Sequence, residues 1–180
     1  ITNCPHLTDV EAAKNILTHL GCVIEHDRDT IKVDSTGVCR YDIPDCLMRE
    51  MRSSVMFLGA ILSREGKAVM TYPGGCELGA RPIDLHLSSL AKLGAVIEEK
   101  GGHIFVSAEH LCGCRINLDF PSVGATENVM LAACMAQGCT VLSNAACEPE
   151  IEDLQTFLNA MGADISGAGT HEIVINGVDK

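Results

Sequence analysis

Tryptophan is absent from this sequence, and tyrosine and phenylalanine together make up only 3% of it. Hydrophobic residues still reach 47%, so a core built from this chain has to be aliphatic. Positive charge is also short: 13 lysines and arginines face 24 acids, giving a formal net charge of −11. That balance excludes a general binder of the nucleic-acid backbone, which relies on a basic footprint. It leaves room for a small anionic ligand held by a few local arginines. No apolar run approaches the roughly 20 residues that a membrane-spanning helix needs, and no leader-like pattern is visible. Membrane and nucleic acid are therefore not expected as partners.

Cysteine, by contrast, is plentiful, with ten among 180 residues, yet no two stand at C-x-x-C spacing. This excludes a dithiol redox motif and a zinc site built from paired cysteines. His110, Cys112 and Cys114 fall one ligand short of a tetrahedral metal site, so no metal is expected. Several cysteines lie in apolar stretches, such as Cys134 in VMLAACMAQGC, where the thiol acts as a small hydrophobe. The pattern fits a reduced, cytoplasmic protein.

What the chain has most of is repetition. LTHLGCVIEHDRDTIKVDS (17–35), LAKLGAVIEEKGGHIFVSA (90–108) and LNAMGADISGAGTHEIVING (158–177) share one rhythm. Each predicts a helix closed by a glycine (Gly21, Gly94, Gly162) suited to the left-handed position after a helix end. A short strand, a polar turn and an alternating β-branched strand follow. MRSSVMFLGAILSREGKAVMTY (51–72) and GATENVMLAACMAQGCTVLSN (124–144) match each other as helix, glycine, strand. The repeat, about 70 residues long, is too long for a solenoid and predicts α/β units around a shared core. The units run over about 1–38, 39–110 and 111–180 of the 180 residues, the second and third as βαβαββ. The first has only its second half, as if about 20 residues of strand and helix preceded it. The 124–136 helix is nearly apolar after its first turn, and a helix apolar on all sides belongs in a core. The expected fold is therefore an inside-out α/β domain, with helices inside and sheets outside.

One stretch is costly by ordinary folding criteria. In YPGGCELGARPIDLH (72–86), Cys76 follows two glycines and precedes Arg81 and Pro82. Adjacent glycines give up backbone order unless the loop must move or approach a ligand closely. Arg81 and a helix start after Pro82 would favour a thiolate at Cys76, and a thiol with a near-neutral pKa can serve as a general acid or a nucleophile. The free N–H groups of the helix opening at Pro82-Ile83-Asp84-Leu85 attract anions; Asp84 alone could equally be an ordinary first-turn acid. Arg52, entering an apolar helix, offers a planar fork of donors suited to phosphate, or else an exposed first-turn charge. Ser122, Val123 and Gly124 open the buried helix, where Ser122 suits a cap and the amides suit an anion. Glu148-Pro149-Glu150 reads as a helix cap, and His86 and His103 as structural.

PGGCELGARPIDLH, with MRSS, FPSVGATEN and NAACEPEIEDL, resembles the UDP-N-acetylglucosamine 1-carboxyvinyltransferase family from end to end of the chain. The resemblance implies an enolpyruvyl transferase that moves the enolpyruvyl group of phosphoenolpyruvate to the 3-hydroxyl of UDP-N-acetylglucosamine, releases phosphate, and needs no cofactor. It implies that Cys76 is the general acid and adduct-forming thiol and the residue that fosfomycin alkylates. It further implies that Arg81 to Leu85 hold the uridine nucleotide, and that Arg52 and Ser122 to Gly124 hold the rest of the UDP-sugar. Phe120 stands where one variant of the family pattern has a lysine, so a phosphate-binding charge is missing there. A lysine-asparagine pair would lie before Ile1. A second domain with an aspartate base and further arginines would complete the site, so the isolated chain is expected to be inactive. The alternatives are a non-catalytic UDP-sugar-binding domain and an enzyme like enolpyruvyl-shikimate-phosphate synthase, a family that lacks the PGGC loop.

Overall fold

The computed structural model describes residues 1–73 and 83–179. Helix α1 (Thr8–Leu20) turns Ala12, Ile16 and Leu20 inward at four-residue steps, the period that places side chains on one face. Gly21 ends it at φ 107°, and the hairpin β1 (Val23–Asp27) and β2 (Thr30–Asp34) follows. Residues 41–43 then begin the second unit: Ile43 N–H donates to Val69 C=O and Val69 N–H to Tyr41 C=O, a parallel contact. Helix α2 (Asp45–Met48), a 3-10 segment (Arg52–Met56), α3 (Phe57–Glu65) and β3 (Lys67–Thr71) come next. The unit closes with α4 (Asp84–Lys92), β4 (Val96–Lys100) and β5 (His103–Ser107). In the third unit, β6 (Arg115–Asn117), α5 (Val123–Ala133), β7 (Cys139–Ser143), α6 (Pro149–Ala160), β8 (Asp164–Ser166) and β9 (Glu172–Asn176) repeat the plan.

The sheets confirm the repeat. The third has the order β6-β7-β9-β8, with β6 parallel to β7 and the remaining pairs antiparallel. The second has β3-β5-β4, with residues 41–43 in the place of β6. In this chain the first unit has the hairpin alone. All three terminal helices end at glycines of positive φ: Gly21, Gly94 and Gly162.

Sheets lie outside and helices inside, as the apolar helix predicts. In β5, Ile104 and Val106 point into the core while His103, Phe105 and Ser107 face solvent. The largest fully buried side chains are Ile, Leu and Met, among them Leu58, Leu62 and Met130. Phe105, Phe120 and Phe157 are exposed. The central contact is α3 against α5. A Cβ on Gly59 would collide with the Asn128 carbonyl oxygens of both side chain and backbone, so this glycine sets how closely the two helices approach. Gly59→Ala is expected to lower stability by about 1–3 kcal/mol through forced separation of the helices. Urea unfolding would measure it, and an unchanged midpoint would contradict this packing.

Two expectations need correction. The α5 helix is not simply apolar, since Thr126 and Asn128 are completely buried in it. Each bonds to backbone on a neighbouring segment, and those bonds offset the cost of burying a polar group. Fewer cysteines are small core hydrophobes than the apolar stretches suggest. Of the nine described, Cys22 and Cys134 are buried while Cys39, Cys46, Cys112 and Cys139 are exposed. The reason is facing: Met48 and Leu142 take the inward positions of α2 and β7, leaving Cys46 and Cys139 outward. Glu148 does occupy the cap position of α6, with Pro149 in the first turn, but its side chain makes no capping hydrogen bond.

Candidate active site

Three segments singled out in sequence converge on one buried imidazole. The first is the turn before α3. Ser54 Oγ donates to Met48 C=O at 3.0 Å, which pins the 3-10 segment that Arg52 opens. The second is the start of α4. Ile83 is buried in the hydrophobic core and Asp84 is exposed in the first turn. Leu85 is half-buried and His86, on the inward face beside Leu87, is only 7% exposed. The third is the start of α5. Ser122 caps the helix in extended geometry and its hydroxyl accepts from Ala125 N–H at 3.4 Å. Val123 and Gly124 are half-buried behind it.

His86 joins them. Its Cε1–Nε2 edge lies against Gly124, where a Cβ would come within 3.1 Å of Cε1 and 3.4 Å of Nε2. Its Nδ1 is 2.9 Å from Asn128 Nδ2. The same amide donates to Val55 C=O at 2.9 Å and accepts from Gly59 N–H at 2.6 Å. Burial, with the nearby Arg52 cation adding to it, brings the His86 pKa down to about 4. The ring is therefore neutral at physiological pH, and among the described residues Arg52 is a cation whose charge reaches it.

The far side of α5 is tied down as well. Thr126 Oγ1 accepts from Ala146 N–H at 3.1 Å, bringing the loop before α6 against the first turns of α5. Glu127 on that helix is half-buried, and burial followed by the charge of Glu150 pushes its carboxyl above the usual range. Burial also drives the Cys134 thiol up to about 11, which makes it an inert core residue.

The arrangement supplies a helix N-terminus with free amides, an arginine and a neutral imidazole at one place. This combination suits an anionic group such as a phosphate. Arg52, Asp84, Leu85, Ser122, Val123 and Gly124 all belong to the three converging segments. Ile83 points into the core, so it can contact a ligand only through its backbone. Phe120 is 59% exposed just before α5. Cys76, Arg81 and Pro82 lie outside the described residues. The sequence pattern reads His86 as structural and does not single out Asn128. The available signal was a polar residue four positions after Gly124 in an otherwise apolar helix. Among the described residues, no helix is long and apolar enough to cross a membrane.

The family described as EPSP synthase (3-phosphoshikimate 1-carboxyvinyltransferase) matches residues 1–180. UDP-N-acetylglucosamine 1-carboxyvinyltransferase 2 of Caldanaerobacter subterraneus subsp. tengcongensis is 56% identical over all of this chain and 43% of its own length. UDP-N-acetylglucosamine 1-carboxyvinyltransferase of Desulfatibacillum aliphaticivorans is 48% identical over 98% of this chain and 42% of its own. The chain thus spans less than half the length of these curated relatives. Among solved structures, the enolpyruvyl transferase NikO from Streptomyces tendae superposes with a TM-score of 0.85 at 26% identity, covering 98% of this chain and 42% of that one. EPSP synthase from Acinetobacter baumannii shares the fold, with a TM-score of 0.73 at 22% identity, covering 99% of this chain and 41% of that one.

Proposed function

The chain belongs to the EPSP synthase (3-phosphoshikimate 1-carboxyvinyltransferase) family, and from that premise we propose that its parent protein transfers the enolpyruvyl group of phosphoenolpyruvate to the 3-hydroxyl of UDP-N-acetylglucosamine. The observation that carries this reading is the convergence of Arg52, the start of α4 and the start of α5 on His86. That cluster suits the diphosphate of a nucleotide sugar. Within the family, the PGGC-x-x-GARP-x-DLH stretch and the 56% identity to a UDP-N-acetylglucosamine transferase favour this acceptor over 3-phosphoshikimate.

In the proposed reaction, a proton goes to the methylene carbon of phosphoenolpyruvate and positive charge develops on the neighbouring carbon. The sugar hydroxyl adds there and loses its proton to a base supplied by the rest of the parent. Loss of a methylene-side proton and of phosphate then restores the double bond as an enol ether. Cys76 is the proposed proton donor, and its thiolate can also capture the electrophilic carbon. Fosfomycin would alkylate the same sulfur. Arg81 is assigned to phosphate, and the segment from Pro82 to Leu85 to the uracil. The reaction would commit UDP-N-acetylglucosamine to peptidoglycan synthesis in the cytoplasm, and so serve cell shape and division.

The chain is read as the cysteine-loop domain, with the first unit incomplete. An apolar groove of about 620 Å³, lined by Ala60, Leu131, Cys134, Leu158 and Met161 among others, lies between α3, α5 and α6. By the repeat, the inner helix of unit one, supplied by parent residues before Ile1, would fill it. A second domain would complete the electrostatic site, so the 180-residue chain by itself is expected to lack activity.

Incubating the full-length parent with each substrate alone and with both tests the assignment. Phosphate release that requires both substrates is expected. Release with shikimate 3-phosphate in place of the UDP-sugar, or no release from a folded parent, would overturn it.

A further inference from the structure

The buried amide of Asn128 makes hydrogen bonds whose sense is fixed by the backbone. Gly59 N–H can only donate, so the atom 2.6 Å away is Oδ1. Val55 C=O can only accept, so the atom 2.9 Å away is Nδ2. Exchanging oxygen and nitrogen would set donor against donor and acceptor against acceptor, leaving the amide one orientation. The second Nδ2 hydrogen points to His86 Nδ1 at 2.9 Å. An amide nitrogen does not accept, so Nδ1 must offer its lone pair, and the proton of the neutral ring is on Nε2. Protonating Nδ1 would set N–H against N–H beside the Arg52 cation.

We propose that Asn128 is a positioning residue that holds His86 as a neutral Nε2–H donor, aimed at the first turn of α5 to meet an anionic group of the nucleotide ligand. The proposal rests on the reading of this site as a UDP-sugar site. Two observations beyond the helix terminus support it. His86 is 7% exposed, and its Nε2 makes no hydrogen bond to any described residue while its edge lies against Gly124. Among the described residues, the ring meets the charge of Arg52 from the 3-10 segment, the Asn128 amide and Gly124 at the α5 start. Arg52 thus supplies charge and His86 a directed hydrogen bond, and a neutral ring avoids repelling the arginine.

The first measurement is a long-range proton–nitrogen correlation spectrum of the 180-residue chain with labelled histidine, with His86 assigned by its loss in His86→Gln. The expected result at neutral pH is an Nε2–H tautomer with an unprotonated Nδ1. In Asn128→Asp the carboxylate can accept from Gly59 but has no hydrogen for Nδ1, so the ring should move its proton to Nδ1. A wild-type ring with Nδ1–H would overturn the proposal even if Asn128→Asp failed to fold, and so would an unmoved tautomer in a folded variant.

The second measurement is made in the parent enzyme. Asn128→Asp is expected to raise KM for UDP-N-acetylglucosamine about tenfold or more with kcat little changed, the size expected for one hydrogen bond to a charged group. The added carboxylate could repel the ligand directly, so the same substitution is made in a His86→Gln background. There its effect should shrink to a few-fold at most if Asn128 acts through His86. An undiminished effect would overturn the positioning role. A parent that uses no UDP-N-acetylglucosamine would instead sink the functional reading, and with it the ligand half of this proposal, while the tautomer result would stand by itself.

Discussion

Replacing Cys76 by alanine in the full-length parent is expected to slow phosphate release from phosphoenolpyruvate and UDP-N-acetylglucosamine by about 10²–10⁴-fold, the range for losing a positioned proton donor. The argument is chemical. Protonating a methylene carbon is the difficult event in adding an alcohol to this enol, and water is a poor acid for it at neutral pH. Alanine keeps the loop free of new bulk while removing both the donor and the capturing sulfur. A second readout separates the roles. Fosfomycin should label the wild-type parent and leave Cys76→Ala unlabelled: Cys134 is buried with its thiol held at about 11, and the exposed Cys39, Cys46, Cys112 and Cys139 stand outside the loop proposed to meet phosphoenolpyruvate. If the variant keeps its full rate, Cys76 is not the acid. If another cysteine takes the label, the loop assignment of the reactive thiol is wrong.

The second large effect is on stability against acid. The folded pKa of His86 is about 4, against 6.5 for the free side chain. Between these values the unfolded chain binds a proton that the folded chain does not, so stability rises with pH across that window. The contribution is complete above about pH 6.5 and is lost as pH falls toward 4. Its full size is about 3 kcal/mol, of which about 2 kcal/mol is lost between pH 7 and pH 5. Other groups titrate here too, and Glu127, with its raised pKa, acts in the opposite sense. The check is therefore a difference between urea unfolding of the wild-type chain and of His86→Gln, whose side-chain oxygen can still accept from Asn128. The wild type should lose about 2 kcal/mol more than the variant between pH 7 and pH 5. Parallel losses would mean that the imidazole is charged or solvated in the folded chain.

His86 also marks the boundary between what was legible in the sequence and what was not. The three-unit repeat was readable because each unit restates it locally. The glycines at 21, 94 and 162 end helices through their own φ preference, and the alternation in Ile173-Val174-Ile175 fixes a strand face from neighbouring residues alone. The burial of α5 followed from its largely apolar circumference, although Thr126 and Asn128 are buried with it. The segments around Arg52, Asp84 and Ser122 could be singled out because helix starts and arginines carry chemistry that needs no long-range partner. By itself, then, the sequence determined the element order and the inside-out arrangement, and it pointed to the segments proposed for the site.

The tertiary structure decided how those segments combine. Asn128 and His86 are 42 positions apart, and Asn128 and Gly59 are 69 apart. No local pattern distinguishes a buried asparagine that orders a site from one that caps a turn. The structure also separated Cys134 from Cys139, one buried and one exposed, although both stand in the same apolar-looking run. In each case the deciding quantity is which face of an element another element covers. A single backbone amide and a single carbonyl then fix the direction of the Asn128 side chain, and through it the proton of His86. That is a property of three segments packed together, absent from any one of them.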